Sequence, residues 1–241
     1  MSITVLLSCG EASGELYAAA LARELEALAP GTRIAALGGS RLEAEGVELV
    51  ADYHGISVTG LSEALRVIPR SLALIREIGR AADRIKPDVF VPIDFPDFNF
   101  RLMAAMARRD VPIVYYISPQ LWAWRKGRMA TMKRLVTKVL PIFPFEERLY
   151  REAGVDAEFV GHPLVDLAAA SADRATLRAR FGAGPDAPLV VLLPASGTNA
   201  LCAILPDMAR AAAMIASRVS GARFALARAP RLDAALFAPL S

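Results

Sequence analysis

ITVLLSCGEASGELYAAALARELEAL (residues 3–28) changes its period part-way along. Residues 3–8 form a short, nearly continuous apolar run, the pattern of a strand buried on both faces. Residues 16–28 repeat their apolar positions at helical spacing until Pro30 and Gly31 stop them. Between the two lies a turn with two glycines. Strand, glycine turn and helix in that order open a βαβ unit.

The same order recurs outward along the chain. Residues 33–37 and 48–51 are expected as strands. A long amphipathic stretch, 61–85, is expected to kink or break near Pro69. Residues 88–93 are a buried strand and 101–109 a helix. Then follow strand 112–117, helix 129–137, strand 139–142, helix 145–153 and strand 157–160, the last ending at Gly161, His162 and Pro163. Short apolar strands alternating with helices require right-handed crossovers and a parallel sheet covered on both sides. The expected class is α/β, a doubly wound Rossmann-like parallel sheet over 1–168. Residues 169–188 are rich in Ala, Arg, Gly and Pro and read as a linker with a short helix at 174–181. Residues 189–241 open a second α/β domain with strands at 189–193 and 223–227, and two strands do not make a stable sheet alone. That second domain is expected to be incomplete.

Bulk properties narrow the function. The chain has 241 residues, 54% of them apolar, and a net charge of only +3. Cys9 and Cys202 are far apart and form neither a CxxC nor a metal pattern, so two reduced thiols are expected. With only His54 and His162, a protein zinc site is not expected. No run of unbroken apolar residues reaches membrane-span length, and the first strand begins where a signal peptide would lie, so a cytoplasmic protein is expected.

In open α/β sheets ligands sit beyond the carboxyl ends of the strands, so the turns there hold the candidates. After the first strand come Cys9, Gly10, Glu11, Ala12, Ser13, Gly14 and Glu15. This is not GxGxxG, and its carboxylates oppose a pyrophosphate, which argues against a dinucleotide site. Glu11 and Glu15 read either as functional carboxylates or as acids placed by the helix dipole. After strand 88–93 come Asp94, Phe95, Pro96, Asp97, Phe98 and Asn99. A carboxylate directly beyond a buried strand suits general-base work; Asp97 or Asn99 also suits a helix cap.

After strand 112–117 come Ser118, Pro119, Gln120, Leu121, Trp122, Ala123, Trp124, Arg125 and Lys126. Both tryptophans of the chain stand there, and six basic residues with no acid occupy 122–138 (Arg125, Lys126, Arg128, Lys133, Arg134, Lys138). The pattern suits a lipid interface, an anionic and partly apolar ligand, or a solvated helix face. Leu65, Arg66, Val67 and Ile68 extend the choice between a membrane-facing surface and ordinary packing. His162 reads as structural or catalytic.

Together these turns resemble lipid-A-disaccharide synthases. The segments that carry the likeness are GEASGELYAA (10–19), VTGLSEAL (58–65), KPDVFVPIDFPDFNF (86–100), YYISPQLWAWRKGR (115–128), PIFPFEERLY (141–150) and FVGHPLVD (159–166). The resemblance implies a two-domain GT-B fold. It also implies inverting transfer of 2,3-diacylglucosamine from its UDP conjugate to 2,3-diacylglucosamine 1-phosphate, giving a β-1,6 linkage and UDP, at the cytoplasmic face of the inner membrane.

The same likeness makes Asp94 the expected base and Glu11 a second essential carboxylate. Ser13, Gly14, Asn99, Ser118, Gln120, Trp122, Trp124, Arg125 and His162 become expected substrate contacts. Leu65, Arg66, Val67, Ile68, Lys126 and Arg128 become the expected acyl-chain or membrane surface. No cofactor or metal is expected, since the UDP-sugar is a substrate, and no nucleic-acid partner.

Two departures stand out. Family members are longer, and the chain is expected to lack most of the donor-binding half. Where the family pattern is LPGSRxxE, this chain has Leu193-Pro194-Ala195-Ser196-Gly197-Thr198-Asn199-Ala200-Leu201, with Gly197 in place of the arginine and Ala200 in place of the glutamate. Weak or absent turnover is therefore expected. A non-catalytic lipid-binding protein of the same fold, and another GT-B or UDP-sugar enzyme, are the competing readings.

Overall fold

Alternate residues of each central strand enter different cores, as a sheet covered on both faces requires. Leu6, Ala35, Leu37 and Phe90 join one apolar cluster, while Val5, Leu7, Ala36 and Val91 join the other. The computed structural model describes residues 3–53, 61–124, 126–229 and 232–240, without the side chains of 61–67, 124, 126 and 238–240.

The strands are β1 (Thr4–Ser8), β2 (Arg33–Gly38), β3 (Glu48–Asp52), β4 (Val89–Pro92), β5 (Val114–Tyr116) and β6 (Lys138–Leu140). β3, β2, β1 and β4 form one parallel sheet in that order, and β5 pairs with β6, also parallel. Bridges Phe90–Ile113 and Ile93–Tyr116 carry the ladder from β4 to β5. The spatial order is therefore 3-2-1-4-5-6, that of a dinucleotide-type doubly wound fold. The strand expected at 157–160 shrinks to a single bridge, Val139–Ala157. It lies at the sheet edge, where Phe159 and Val160 are exposed and the remaining backbone bonds, Glu158 N–H to Val139 O and Val160 N–H to Pro141 O, do not extend the ladder.

The connecting helices are α1 (Ala12–Leu28), α2 (Ser40–Ala44), α3 (Leu61–Ile85), α4 (Pro96–Ala107), α5 (Leu121–Trp124), α6 (Met129–Leu135), α7 (Pro144–Glu152) and α8 (Leu164–Leu167). Ala18, Ala19 and Ala22 let α1 approach one face of the sheet closely. α3 and α4 cover the other with Leu74, Ile78, Ala82, Leu102, Met103 and Met106. Pro69 lies inside α3 without breaking it. The proline removes a single backbone bond, and the buried row from Leu74 to Ile85 holds the remainder in place. α4 begins at Pro96, five residues before the expected 101, because proline at the first helical position needs no N–H partner.

Contacts divide the chain into Met1–Leu167 and Ala168–Ser241. The second unit holds α9 (Arg174–Arg180), β7 (Leu189–Leu192), α10 (Thr198–Arg218) and β8 (Arg223–Leu226). β7 and β8 form a parallel pair. Its small core is Leu201, Leu205 and Leu232. The stretch 169–188 belongs to this unit rather than acting as a free linker. Arg178 donates to the carbonyls of Gly184 and Ala187, and Arg223 donates to Gly182 O at 3.2 Å. Among the described residues, α10 alone is long and apolar enough to cross a membrane by length and composition. Pro206 and the Asp207–Arg210 ion pair lie within it.

Candidate functional site

The chain leaves β1 toward β2 and β3 on one side, and enters β4 to continue toward β5 and β6 on the other. The crevice beyond the carboxyl ends of β1 and β4 is thus the switch point of the sheet. Two turns meet there. Gly10 is required at the first, because a Cβ would stand 2.0 Å from the Phe95 ring of the second. Glu11 is the N-cap of α1 but makes no capping bond, and it accepts from Ser13 Oγ at 2.9 Å. Glu15 is not a surface acid favoured by the dipole. It is buried and accepts from Arg41 N–H (2.7 Å) and Tyr53 OH (2.8 Å), tying α1 to α2 and β3.

Asp94 is held in an unusual backbone. Asp94 and Phe95 both have left-handed φ, 44° and 48°, a conformation that costs non-glycine residues roughly 1–2 kcal/mol each. Three side chains enforce it. Asn99 Nδ2 donates to Asp94 O at 2.7 Å, Tyr115 OH donates to the same oxygen at 2.8 Å, and Asn99 Oδ1 accepts from Ser8 Oγ at 2.7 Å. Backbone strain maintained by a buried network is a recurring mark of functional positions.

The Asp94 carboxyl is pushed up to about 6, first by burial and then by the nearby Glu11 charge, with the Phe95 N–H opposing. Such a group is ionised near neutral pH yet remains a competent proton acceptor. Burial also drives the Tyr115 hydroxyl upward, so it stays a donor.

A cleft of about 440 Å³ opens in front of this carboxylate, lined among others by Ser13, Ser118, Gln120, Glu146 and His162. Its aromatic edge is continuous. His162 meets Tyr17 and Phe143 edge-on, Phe143 stacks on Phe145 at 5.8 Å, and Phe145 meets Trp122 at 5.2 Å. His162 Nδ1 accepts the Leu164 N–H at 3.2 Å, so in the neutral ring the proton sits on Nε2. Tyr150 OH donates to Pro119 O at 2.7 Å and pins the 118–120 turn.

Of the residues singled out in the sequence, Asp94, Ser13, Ser118, Gln120 and His162 gather at the cleft, with Glu11 beside them through its bond to Ser13. Trp122 contributes to its aromatic rim. Others have different work. Asn99 is fully buried, so it orients Asp94 rather than touching a ligand. Gly14 is buried as well; a Cβ there would come within 3.2 Å of the Cys9 Cβ, so it serves helix–strand approach.

Asp97 is not a cap but lies in the first turn of α4. It pairs with Arg128 at 2.8 Å, and that guanidinium lies 4.9 Å from the centre of the Phe100 ring. Arg128 is thereby paired within the unit. Ile68 is exposed, as are Arg70, Arg76 and Arg80 farther along α3. Arg125, and the side chains of Leu65, Arg66, Val67, Trp124 and Lys126, lie outside the described residues, as does His54.

Sequence reasoning missed Glu146. In the first turn of α7 a glutamate reads as an ordinary dipole partner, yet this one is 1% exposed and faces the cleft. The adjacency of PFEE to a strand end was the available signal. Among the described residues no three His, Cys, Asp or Glu side chains converge as metal ligands.

The family model described as lipid-A-disaccharide synthetase matches residues 5–237. The chain belongs to the lipid-A-disaccharide synthase family. It is 43% identical over 229 residues to the lipid-A-disaccharide synthase of Myxococcus xanthus, covering 95% of this chain and 60% of that one. With the Koribacter versatilis enzyme of the same name the figures are 46% over 211 residues, 87% and 55%. The chain therefore spans a little more than half the length of these synthases.

Among solved structures it resembles the UDP-GlcNAc 2-epimerase of Neisseria meningitidis bound to UDP-GlcNAc (TM-score 0.61, 9% identity, 100% of this chain and 68% of that one). It also resembles Acinetobacter baumannii MurG (TM-score 0.51, 15% identity, 100% and 71%). At these identities the likeness shows fold alone, a Rossmann-like N-terminal domain of the GT-B fold.

Proposed function

We propose that this chain carries the acceptor-side chemistry of lipid A disaccharide formation. In that reaction 2,3-diacylglucosamine passes from its UDP conjugate to 2,3-diacylglucosamine 1-phosphate. The observation that carries the reading is the Asp94 carboxylate, raised to about 6 and locked at the switch point in front of an aromatic-rimmed cleft. Inversion at the anomeric carbon takes one in-line displacement. As the acceptor 6-hydroxyl oxygen attacks, Asp94 takes its proton and the C1–O bond to UDP breaks, the electron pair leaving on the diphosphate. Burial, helped by the Glu11 charge, holds the proton affinity of Asp94 high enough for the transfer, and the aromatic rim suits a sugar ring.

The departing diphosphate needs positive stabilisation. In the second unit the loop after β7 leads into the N-terminus of α10 at Thr198, with Gly197 as N-cap and no arginine in the turn. Poor turnover follows from that composition. Exposed Ile68 and Leu72 among arginines on α3 fit an anionic membrane surface, consistent with work at the cytoplasmic face of the inner membrane.

The test is mass-spectrometric detection of disaccharide 1-phosphate after mixing the chain with both lipid substrates. Product that disappears in D94N supports the proposal. Binding of diacylglucosamine 1-phosphate without product assigns the chain an acceptor-binding role. Neither product nor acceptor binding overturns the reading.

A further inference from the structure

Two buried polar atoms on the wall of the cleft have no hydrogen bond of good geometry among the described residues. Glu146 is 1% exposed; its Oε1 accepts from Trp122 Nε1 at 3.1 Å, but its Oε2 finds no hydrogen bond among the described residues. Ser118 is 5% exposed, and its Oγ is likewise unpaired. Both residues line the same cleft as Asp94 and His162. Ser118 lies near enough to Glu146 and Tyr150 to draw their ionisation down, yet bonds neither with good geometry. Buried polar groups are nearly always satisfied, so an adjacent pair left open on a cavity wall marks the place of a ligand's own polar group.

The chemistry of that group follows from the surroundings. Asp94 and Glu146 line the cleft, Glu11 stands beside it, and no lysine or arginine is among the described residues that line it. A phosphate is repelled there, so an anionic ligand must point its phosphate outward. A carboxylate oxygen beside a hydroxyl matches a neutral group that both donates and accepts. An alcohol does so: its O–H donates to Oε2 while its oxygen accepts from Ser118. Burial raises the Glu146 carboxyl, with Trp122, Phe143 and Ser118 opposing; a donor from the ligand favours the ionised form.

We propose that Glu146 Oε2 and Ser118 Oγ form a hydroxyl-binding subsite that holds the non-reacting ring hydroxyl of the acceptor sugar and so aims the reacting one at Asp94. The inference rests on the acceptor reading above. In 2,3-diacylglucosamine 1-phosphate, positions 1, 2 and 3 carry phosphate, N-acyl and O-acyl groups. Once the 6-hydroxyl faces Asp94, only the 4-hydroxyl remains for the subsite.

The experiment measures binding of 2,3-diacylglucosamine 1-phosphate and its 4-deoxy analogue, in detergent micelles, to the full 241-residue chain by titration calorimetry. Wild type is expected to bind the 4-deoxy analogue roughly 10- to 100-fold more weakly, the loss typical of a hydrogen bond to a charged group. In E146Q and S118A the ratio between the two ligands is expected to fall toward one, with thermal melts close to wild type. A wild type that binds both ligands equally, or variants that keep the wild-type ratio while weakening both ligands alike, overturns the subsite and leaves the acceptor reading standing. A wild type that binds neither ligand overturns the acceptor reading and the subsite with it.

Discussion

The chain contains the same strand–turn–helix device twice, and the two copies differ in what surrounds them. In the first unit, β1 lies between β2 and β4, and Leu6 and Leu7 are fully buried. In the second, β7 pairs with β8, and Val191 and Leu193 are 55% and 71% exposed. The turn after β1 packs on Phe95 and faces a network of buried side chains. The turn after β7 is built of Pro194, Ala195, Ser196 and Gly197, which carry no charge. The difference teaches that a βα unit gains its rigidity from the strands on either side. The turn so supported packs against the one after β4, where the left-handed backbone of Asp94 and Phe95 is held.

Truncation of a strand residue tests this most strongly. Leu6→Ala is expected to destabilise the first unit by about 2–5 kcal/mol. Val191→Ala, at a half-exposed site, is expected to cost the second unit less than about 1 kcal/mol. Urea unfolding followed by hydrogen exchange reads each unit separately. Equal losses would break the comparison.

A smaller effect comes from pH. Because the folded-state pKa of Asp94 is raised to about 6, its contribution is fully present below the unfolded value near 4 and is lost as pH rises through about 6. Asp83 and Glu158 act in the opposite sense, since Arg109 and Lys138 hold them low, but both are exposed. D94N is therefore expected to gain stability over wild type as pH goes from 4 to 7, by no more than about 3 kcal/mol. Thermal melts across that range, with hydrogen exchange in the second unit unchanged, would sharpen the contrast. A difference between D94N and wild type that does not vary with pH would remove Asp94 from the account.

The smallest effect concerns the pair of turns themselves. Glu11→Gln removes one of the two influences that raise Asp94 and is expected to lower its pKa by a fraction of a pH unit while leaving it above the ordinary carboxylate value. Carbon-13 titration of the aspartate carboxyls measures this. No change on substitution would mean that burial alone sets the proton affinity.

Much of this was legible beforehand. Except at the edge stretch 157–160, strand positions fell within a residue or two because a short apolar run is a local signal. Asp94 stood out because it directly follows a buried strand. The start of α4 was misjudged: Pro96 reads as a turn stiffener unless one knows that the chain turns into a helix there. Asn99 was expected as a substrate contact from the family resemblance and suited a helix cap by position, while its burial depends on Ser8, 91 residues away. Arg128 looked free because Asp97, 31 residues away, was read as a cap.

By itself the sequence determined the parallel, doubly wound class, the family and the set of turns in which a site had to lie. These follow from periodicity and from runs of neighbouring residues, which act over one or two turns of chain. The tertiary structure alone decided which of the many carboxylates face the cleft, which are buried ties like Glu15, and that Glu146 and Ser118 stand open together. Those outcomes depend on distances between segments brought together by the fold, and on the desolvation that only a packed interior imposes.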